Sequence, residues 1–173
     1  MSRFLAPVFA AMLFAPSAHA DGIVDSVVLG AFAHEVVNDD EGGIDANLEL
    51  RLRPLFGRSW AIEILPTVGG TVNFSGDTNT AYAGATARYR FTPSIFVEGF
   101  FGLAIHDGDT PRDADGLDLG CELLFREGGG IGYQRGRHAL SLYVSHASHG
   151  GIICDEDENE GMTSVGLRYG YHF

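Results

Sequence analysis

Val165-Gly166-Leu167-Arg168-Tyr169-Gly170-Tyr171-His172-Phe173 puts Val165, Leu167, Tyr169, Tyr171 and Phe173 on one parity and finishes on an aromatic ring. Alternation with a period of two describes a strand with one apolar face. A strand of this kind with rings at the water boundary suits the closing strand of an outer-membrane β-barrel, whose lipid-facing band is flanked by aromatic girdles. That reading requires the same alternation upstream.

Residues 44–54 set Ile44, Ala46, Leu48, Leu50 and Leu52 against Asp45, Asn47, Glu49, Arg51 and Arg53. A soluble sheet produces this pattern too, but its repetition in segments of about ten residues bounded by turn chemistry favours a barrel. Residues 60–74 place Trp60, Ile62, Ile64, Val68, Val72 and Phe74 outside, with Glu63, Thr67, Thr71 and Asn73 inside; Pro66 interrupts the ladder locally. Residues 80–91 have small alanines, Tyr89 and Phe91 outside and Arg88 and Arg90 inside. Residues 94–106 follow with Ile95, Val97, Phe101, Leu103 and Ile105 outside and Glu98 inside.

Residues 120–133 send Cys121, Leu123, Phe125, Ile131 and Tyr133 outward and Glu122 and Arg126 inward, which leaves Glu127 on the lipid-facing parity. A carboxylate is unfavourable there, so a bulge within Gly128-Gly129-Gly130 is expected to turn it away. Residues 25–34, 138–148 and the closing stretch complete an all-β, eight-stranded antiparallel transmembrane barrel. The connections alternate in length, with 36–43, 107–119 and 150–161 long and 55–59, 92–94 and 134–136 short. Short periplasmic turns and longer extracellular loops put both termini in the periplasm. Eight strands leave an interior filled by side chains, and the inward charges of both signs suit a packed polar network better than a channel.

Residues 1–20 carry Arg3, an apolar run through Leu5, Val8, Phe9, Met12, Leu13 and Phe14, and Ala18-His19-Ala20, the pattern of a secretory signal peptide. The run is shorter than the roughly 20 apolar residues of a spanning helix, so the expected mature unit is a barrel over 21–173. A formal net charge of −12 speaks against nucleic acid, whose phosphates need a basic surface. Cys121 and Cys154 belong to an export route where disulfides persist, but sequence gives no distance between them, so a bond and two separate thiols stay open. Asp107, Asp109, Asp113 and Asp115 lack an EF-hand spacing and read as a solvated loop, so no metal site is expected.

His146 and Ser148 continue the lipid-facing parity of Leu140, Leu142 and Val144 to the extracellular end of their strand. Two apart on a strand they project from the same side. Nucleophilic serine needs such a base, and the base needs a third group to fix its tautomer. Strand ends also turn polar at the headgroup boundary without catalysis, so spacing alone favours the plain reading.

Three further pieces bear on that choice: Phe96-Val97-Glu98-Gly99 with Gly102, His138-Ala139-Leu140-Ser141-Leu142 leading into His146-Ala147-Ser148, and Asn159-Glu160-Gly161-Met162 leading into Gly166-Leu167-Arg168-Tyr169-Gly170-Tyr171. Together they resemble the lipid A 3-O-deacylase (PagL-like) family of acyloxyacyl hydrolases over roughly the last half of the chain. The resemblance implies an outer-membrane barrel that hydrolyses the ester-linked acyl chain at position 3 of lipid A, with Ser148 as nucleophile, His146 as base and no cofactor. Its partners are then lipid A, as lipopolysaccharide, and the outer-membrane bilayer; a homodimer is compatible with the sequence.

Two positions depart from the family pattern. Where the family has an oxyanion-hole Asn this chain has His149, while Gly151 matches the family's glycine. The family's triad Glu falls on Thr163, and Glu160, behind the acidic run 155–158, is the nearest substitute. A relocated acid, a slow enzyme and a relative without catalysis all fit this arrangement. The competing class is a non-catalytic outer-membrane barrel with a structural or surface-interaction role.

Overall fold

Within hydrocarbon no water satisfies a backbone N–H or C=O, so strands with one apolar edge must pair on both sides and close. The computed structural model describes residues 22–55, 62–108, 117–154 and 159–173. The signal segment, Trp60, Asp109, Asp113, Asp115 and the acidic run 155–158 lie outside the described residues. Eight strands form one closed antiparallel barrel in chain order: β1 (Val24–Ala33), β2 (Ile44–Leu52), β3 (Ile62–Asn73), β4 (Thr80–Arg90), β5 (Ile95–His106), β6 (Leu123–Arg135), β7 (His138–Ser148) and β8 (Met162–His172). Closure is made by β1 on β8, from Ser26 opposite His172 to Ala33 opposite Val165.

The parity read from the sequence is the parity of the barrel. Leu29, Leu103, Ile131, Leu140, Leu142 and Leu167 are among many large apolar side chains exposed on the outside, whereas Asp45, Asn47, Glu49, Arg51, Arg88, Glu98 and Arg168 are buried. The connections that follow β2, β4 and β6 leave from the end where β1 begins and β8 finishes, and those that follow β1, β3, β5 and β7 from the other. Tyr89 and Phe91, with ring centroids 4.8 Å apart, and Tyr171 and Phe173, 5.5 Å apart, ring the short-turn end. The loop 74–79 is wound around Asn73, whose Oδ1 accepts the N–H groups of Ser75 and Gly76 at 2.7 and 3.0 Å.

Two expectations are corrected, and that for Pro66 holds on one side of its strand. Glu122 precedes β6 and is exposed, so it is not a lumen residue. Pro66 interrupts the ladder on one side only: it keeps its place opposite Ala85 of β4, while the β2 pairing leaves off at Thr67 and contact resumes where Leu55 N–H donates to Ile64 O at 3.0 Å. No bulge exists in β6, which runs in unbroken register against β5 from Leu123 to Tyr133. The glycines have a different purpose: Gly128 faces inward, where a Cβ would fall 2.6 Å from the Tyr143 hydroxyl. They make room for a ring inside the barrel and leave Glu127 pointing out.

The lumen is filled. Arg51 donates from Nε to Glu49 at 2.6 Å and makes a two-pronged contact with Glu98 at 2.7 and 2.9 Å. Arg88 also donates to Glu98, and Arg168 to Glu49. Arg168 and Arg126 lie over the rings of Tyr143 and Tyr82 at 4.0 and 4.4 Å, which supplements the carboxylates as partners for buried cations. Toward the long loops, Leu117 and Leu119 pack on Leu124, Ala147 and Met162 and cap the network with apolar side chains.

Candidate active site on the outer face

Because every residue on one parity faces lipid, register alone decides which outward side chains meet. Across β5 to β8 one row reads Phe101, Glu127, His146, Thr163. The row nearer the long-loop end reads Leu103, Phe125, Ser148, and the row nearer the short-turn end reads Gly99, Gly129, Val144, Val165. Phe101 and Phe125 stack at 5.9 Å and wall the site on its β5 side. His146 and Ser148 are both half-buried on this face.

His146 Nδ1 is hydrogen-bonded to Thr163 Oγ1 at 2.9 Å. The ring edge is seated against Gly161, which has a left-handed φ of +69° and where a Cβ would lie 2.7 Å from the imidazole Cε1. Only glycine satisfies both conditions. Thr163 is fixed in turn: its N–H donates to Glu35 at 2.6 Å and its carbonyl accepts Val36 N–H at 2.8 Å. His146 and Ser148 share a face without being hydrogen-bonded to each other. Such contacts are commonly loose before substrate arrives.

This geometry can be set against known proteins. A family model described as lipid A 3-O-deacylase (PagL) matches residues 42–172. The chain belongs to this family. Among solved structures, the outer membrane enzyme PagL superposes with a TM-score of 0.66 at 21% identity, covering 87% of this chain and 99% of that one. De novo designed transmembrane β-barrels match at 0.53 and 14% identity, covering 89% and 98%, and the Yersinia pestis outer membrane protein Ail in a phospholipid bilayer nanodisc at 0.51 and 14%, covering 88% and 100%. No curated protein sequence matches the chain. The protein is thus a PagL-family barrel of the outer membrane, in a family that modifies lipid A.

The remaining residues singled out in the PagL-like segment are placed as follows. Thr163, where the resemblance led one to expect the acid, does contact His146. Glu160 does not: its carboxylate accepts Asp118 N–H at 2.8 Å and its own N–H donates to Asp118 O at 3.1 Å, tying the last long loop to the preceding one. A disulfide between Cys121 and Cys154, with Cα atoms 6.6 Å apart, joins the same two loops. The His149 ring is buried on the opposite parity from Ser148, and its Nδ1 accepts Gly151 N–H at 3.2 Å. His149 N–H donates to Asn159 Oδ1 at 3.3 Å. Cys121, His149 and Cys154 have ligand atoms within 4.8 Å of one another, but the two sulfurs are committed to their mutual bond.

Beside β8 on the rim, His34 contacts Asp45 through Nδ1 at 2.9 Å and Glu41 through Nε2 at 2.8 Å. Burial works against its charged form, but the two carboxylates prevail and raise its pKa to about 9. Burial likewise opposes ionisation of Glu41, yet its bonds to His34 and Thr78 hold that carboxyl below its ordinary range. The position that sequence reasoning misjudged is Glu127. Its parity was legible, but its place opposite His146 follows from β6–β7 register, which no single strand encodes.

Proposed function

We propose that this protein is a lipid A 3-O-deacylase acting in the outer leaflet, with Ser148 as nucleophile and His146 as base. The observation that carries this reading is an apolar groove on the lipid face just below the pair. Its volume is about 350 Å³, its floor is Gly129, and its walls include Val97, Ile131, Leu142, Val144 and Val165. A Cβ on Gly129 would meet nothing nearer than Glu98 O at 3.5 Å, so the floor is open outward. An acyl chain lying along this groove brings its ester carbonyl level with Ser148.

Ser148 Oγ attacks that carbonyl and its proton passes to His146 Nε2, which requires Nδ1 to carry a proton toward Thr163. N–H groups of the Gly150-Gly151 turn receive the oxyanion, Gly151 giving up its bond to His149. The imidazolium returns the proton to the departing sugar oxygen, leaving an acyl-serine. Water, deprotonated by His146, then releases the fatty acid and restores both residues. The sum is ester plus water to alcohol plus carboxylic acid, without a cofactor.

Mass spectrometry of lipid A from cells making wild type, Ser148→Ala and His146→Asn tests this. Loss of one 3-O-acyl chain in wild type and its retention in both variants is expected. Identical lipid A in all three points instead to the non-catalytic barrel.

A further inference from the structure

We propose that Glu127 is the carboxylate that stabilises the charged form of His146, in place of the family acid that is Thr163 here; this rests on the Ser148/His146 reading above. Thr163 holds the ring but cannot do the rest. A hydroxyl both donates and accepts, so its bond to Nδ1 does not fix the tautomer, and it brings no charge to an imidazolium.

Four observations single out Glu127. It faces lipid in a regular strand, a costly position for a carboxylate with no structural return. Among the described residues it has no hydrogen-bond or ion-pair partner, while being exposed. It stands directly opposite His146 in the β6–β7 ladder, where facing Cβ atoms are roughly 5 Å apart and a side-chain rotation brings the carboxylate alongside the ring. Phe101, opposite it on β5, sets an apolar ring on its other flank, so that no second polar group competes with His146 from that side.

The other described carboxylates nearby are engaged. Glu160 serves Asp118 N–H. Glu35 serves the N–H groups of Thr163, Val37 and Asn38. Asp118 accepts from Gly120 N–H. In the reaction Glu127 takes no proton; it stays ionised while His146 Nε2 holds the one from Ser148, and it lowers the energy of that ion pair before the proton leaves with the sugar oxygen. Glu127 is therefore a positioning residue with an electrostatic effect.

The test is steady-state fatty-acid release from lipid A in mixed micelles by wild type, Ser148→Ala, Glu127→Gln, Glu127→Asp, Thr163→Glu and Glu127→Gln/Thr163→Glu. Rates are expressed per folded barrel from heat-modifiable gel mobility. Glu127→Gln is expected to lower kcat about 10- to 100-fold, as for opposite charges some 5 Å apart at a partly screened site, with KM little changed. Its barrel should be at least as resistant to urea as wild type, because a charge has left the lipid face. Glu127→Asp should retain part of the rate, and Thr163→Glu should recover at least tenfold in the Glu127→Gln background.

Equal kcat in wild type and Glu127→Gln overturns the assignment. So does a loss that neither Glu127→Asp nor Thr163→Glu relieves, since that marks a structural role. A wild type that becomes active only with Thr163→Glu also overturns it while keeping the Ser/His pair. Equal release by wild type and Ser148→Ala removes the hydrolase reading itself, and the role of Glu127 with it.

Discussion

Replacing Glu98 with Gln should destabilise the barrel by about 3 kcal/mol, and replacing it with Leu by up to about 5, the range for removing one partner of a buried ion pair. Mid-barrel, Arg51, Arg88, Arg126 and Arg168 share the lumen with Glu49 and Glu98, all six side chains being buried. Glu98 takes two bonds from Arg51, at 2.7 and 2.9 Å, and two from Arg88, at 3.1 and 3.3 Å. With it neutral, four guanidinium groups face one carboxylate; Arg88, Arg126 and Arg168 each have a ring beneath them, but Arg51 has none among the described residues. The Gln amide keeps one acceptor but aims a second donor at a cation, so isosteric replacement does not spare the network. The assay is reversible urea unfolding in lipid vesicles, followed by gel mobility. A Glu98→Leu/Arg51→Met double variant should be more stable than Glu98→Leu alone, because the stranded cation goes with its partner. If Glu98→Gln unfolds within about 0.5 kcal/mol of wild type, an amount ordinary for a surface change, water and not Glu98 solvates these guanidiniums and the packed-lumen account fails.

Gly129→Leu fills the groove without touching the fold, since the Cβ position meets only ordinary contacts; kcat/KM for lipid A should fall about tenfold or more, the scale set by methylene-sized changes in an apolar site. A folded Gly129→Leu barrel with wild-type kcat/KM places the acyl chain elsewhere. The rim around His34 should loosen in alkali. A pKa raised from 6.5 to about 9 contributes on the order of 3 kcal/mol, fully present below pH 6.5 and lost as pH rises through 9. Glu41, shifted downward, gives the opposite edge: its contribution is present above its ordinary range and fades as pH falls. Hydrogen exchange over 34–43, corrected for the intrinsic rate, should therefore accelerate between pH 8 and 10, and His34→Gln should abolish that step. Equal protection at both pH values refutes the rim assignment.

Inside-outside parity was legible residue by residue, because a period of two leaves no choice of face once one side must be apolar. The same rule produced the main error. Glu127 violated it, and a bulge was invoked on the premise that no carboxylate is left facing lipid, when the neighbouring glycines were answering the bulk of Tyr143 from inside. Relations between strands were less accessible. That Thr163 touches His146 followed from aligning the family's acid, but that Glu127 flanks it from the other side depends on β6–β7 register. The loops were opaque for another reason. Leu117 and Leu119 look like ordinary residues of an acidic loop until Leu124, Ala147 and Met162 are seen to offer them a surface, and Glu160 was drawn to Asp118 by a backbone contact that has no sequence signature.

The plain account of His146 and Ser148, polar residues where strands leave the bilayer, makes a prediction about the rest of the rim. A headgroup boundary surrounds the whole barrel, so its polar residues should be spread around every strand. They are not. At the long-loop end the outward positions are Ala31 and Ala33 on β1, Ile44 and Ala46 on β2, Val72 on β3, Ala81 and Ala83 on β4, and Leu103 and Ile105 on β5. Outward Glu, His, Ser and Thr near this rim are confined to three adjacent strands, as Glu127, His146, Ser148 and Thr163, where register sets them side by side. Such a sector, above a groove without side chains on its floor, costs the barrel lipid-facing surface that the other five strands keep. A lumen closed by ion pairs and capped by leucines leaves lateral approach from the leaflet as the route to it. Uneven placement of this kind is expected of a site that acts on the lipid around it, and a purely structural barrel has no use for it.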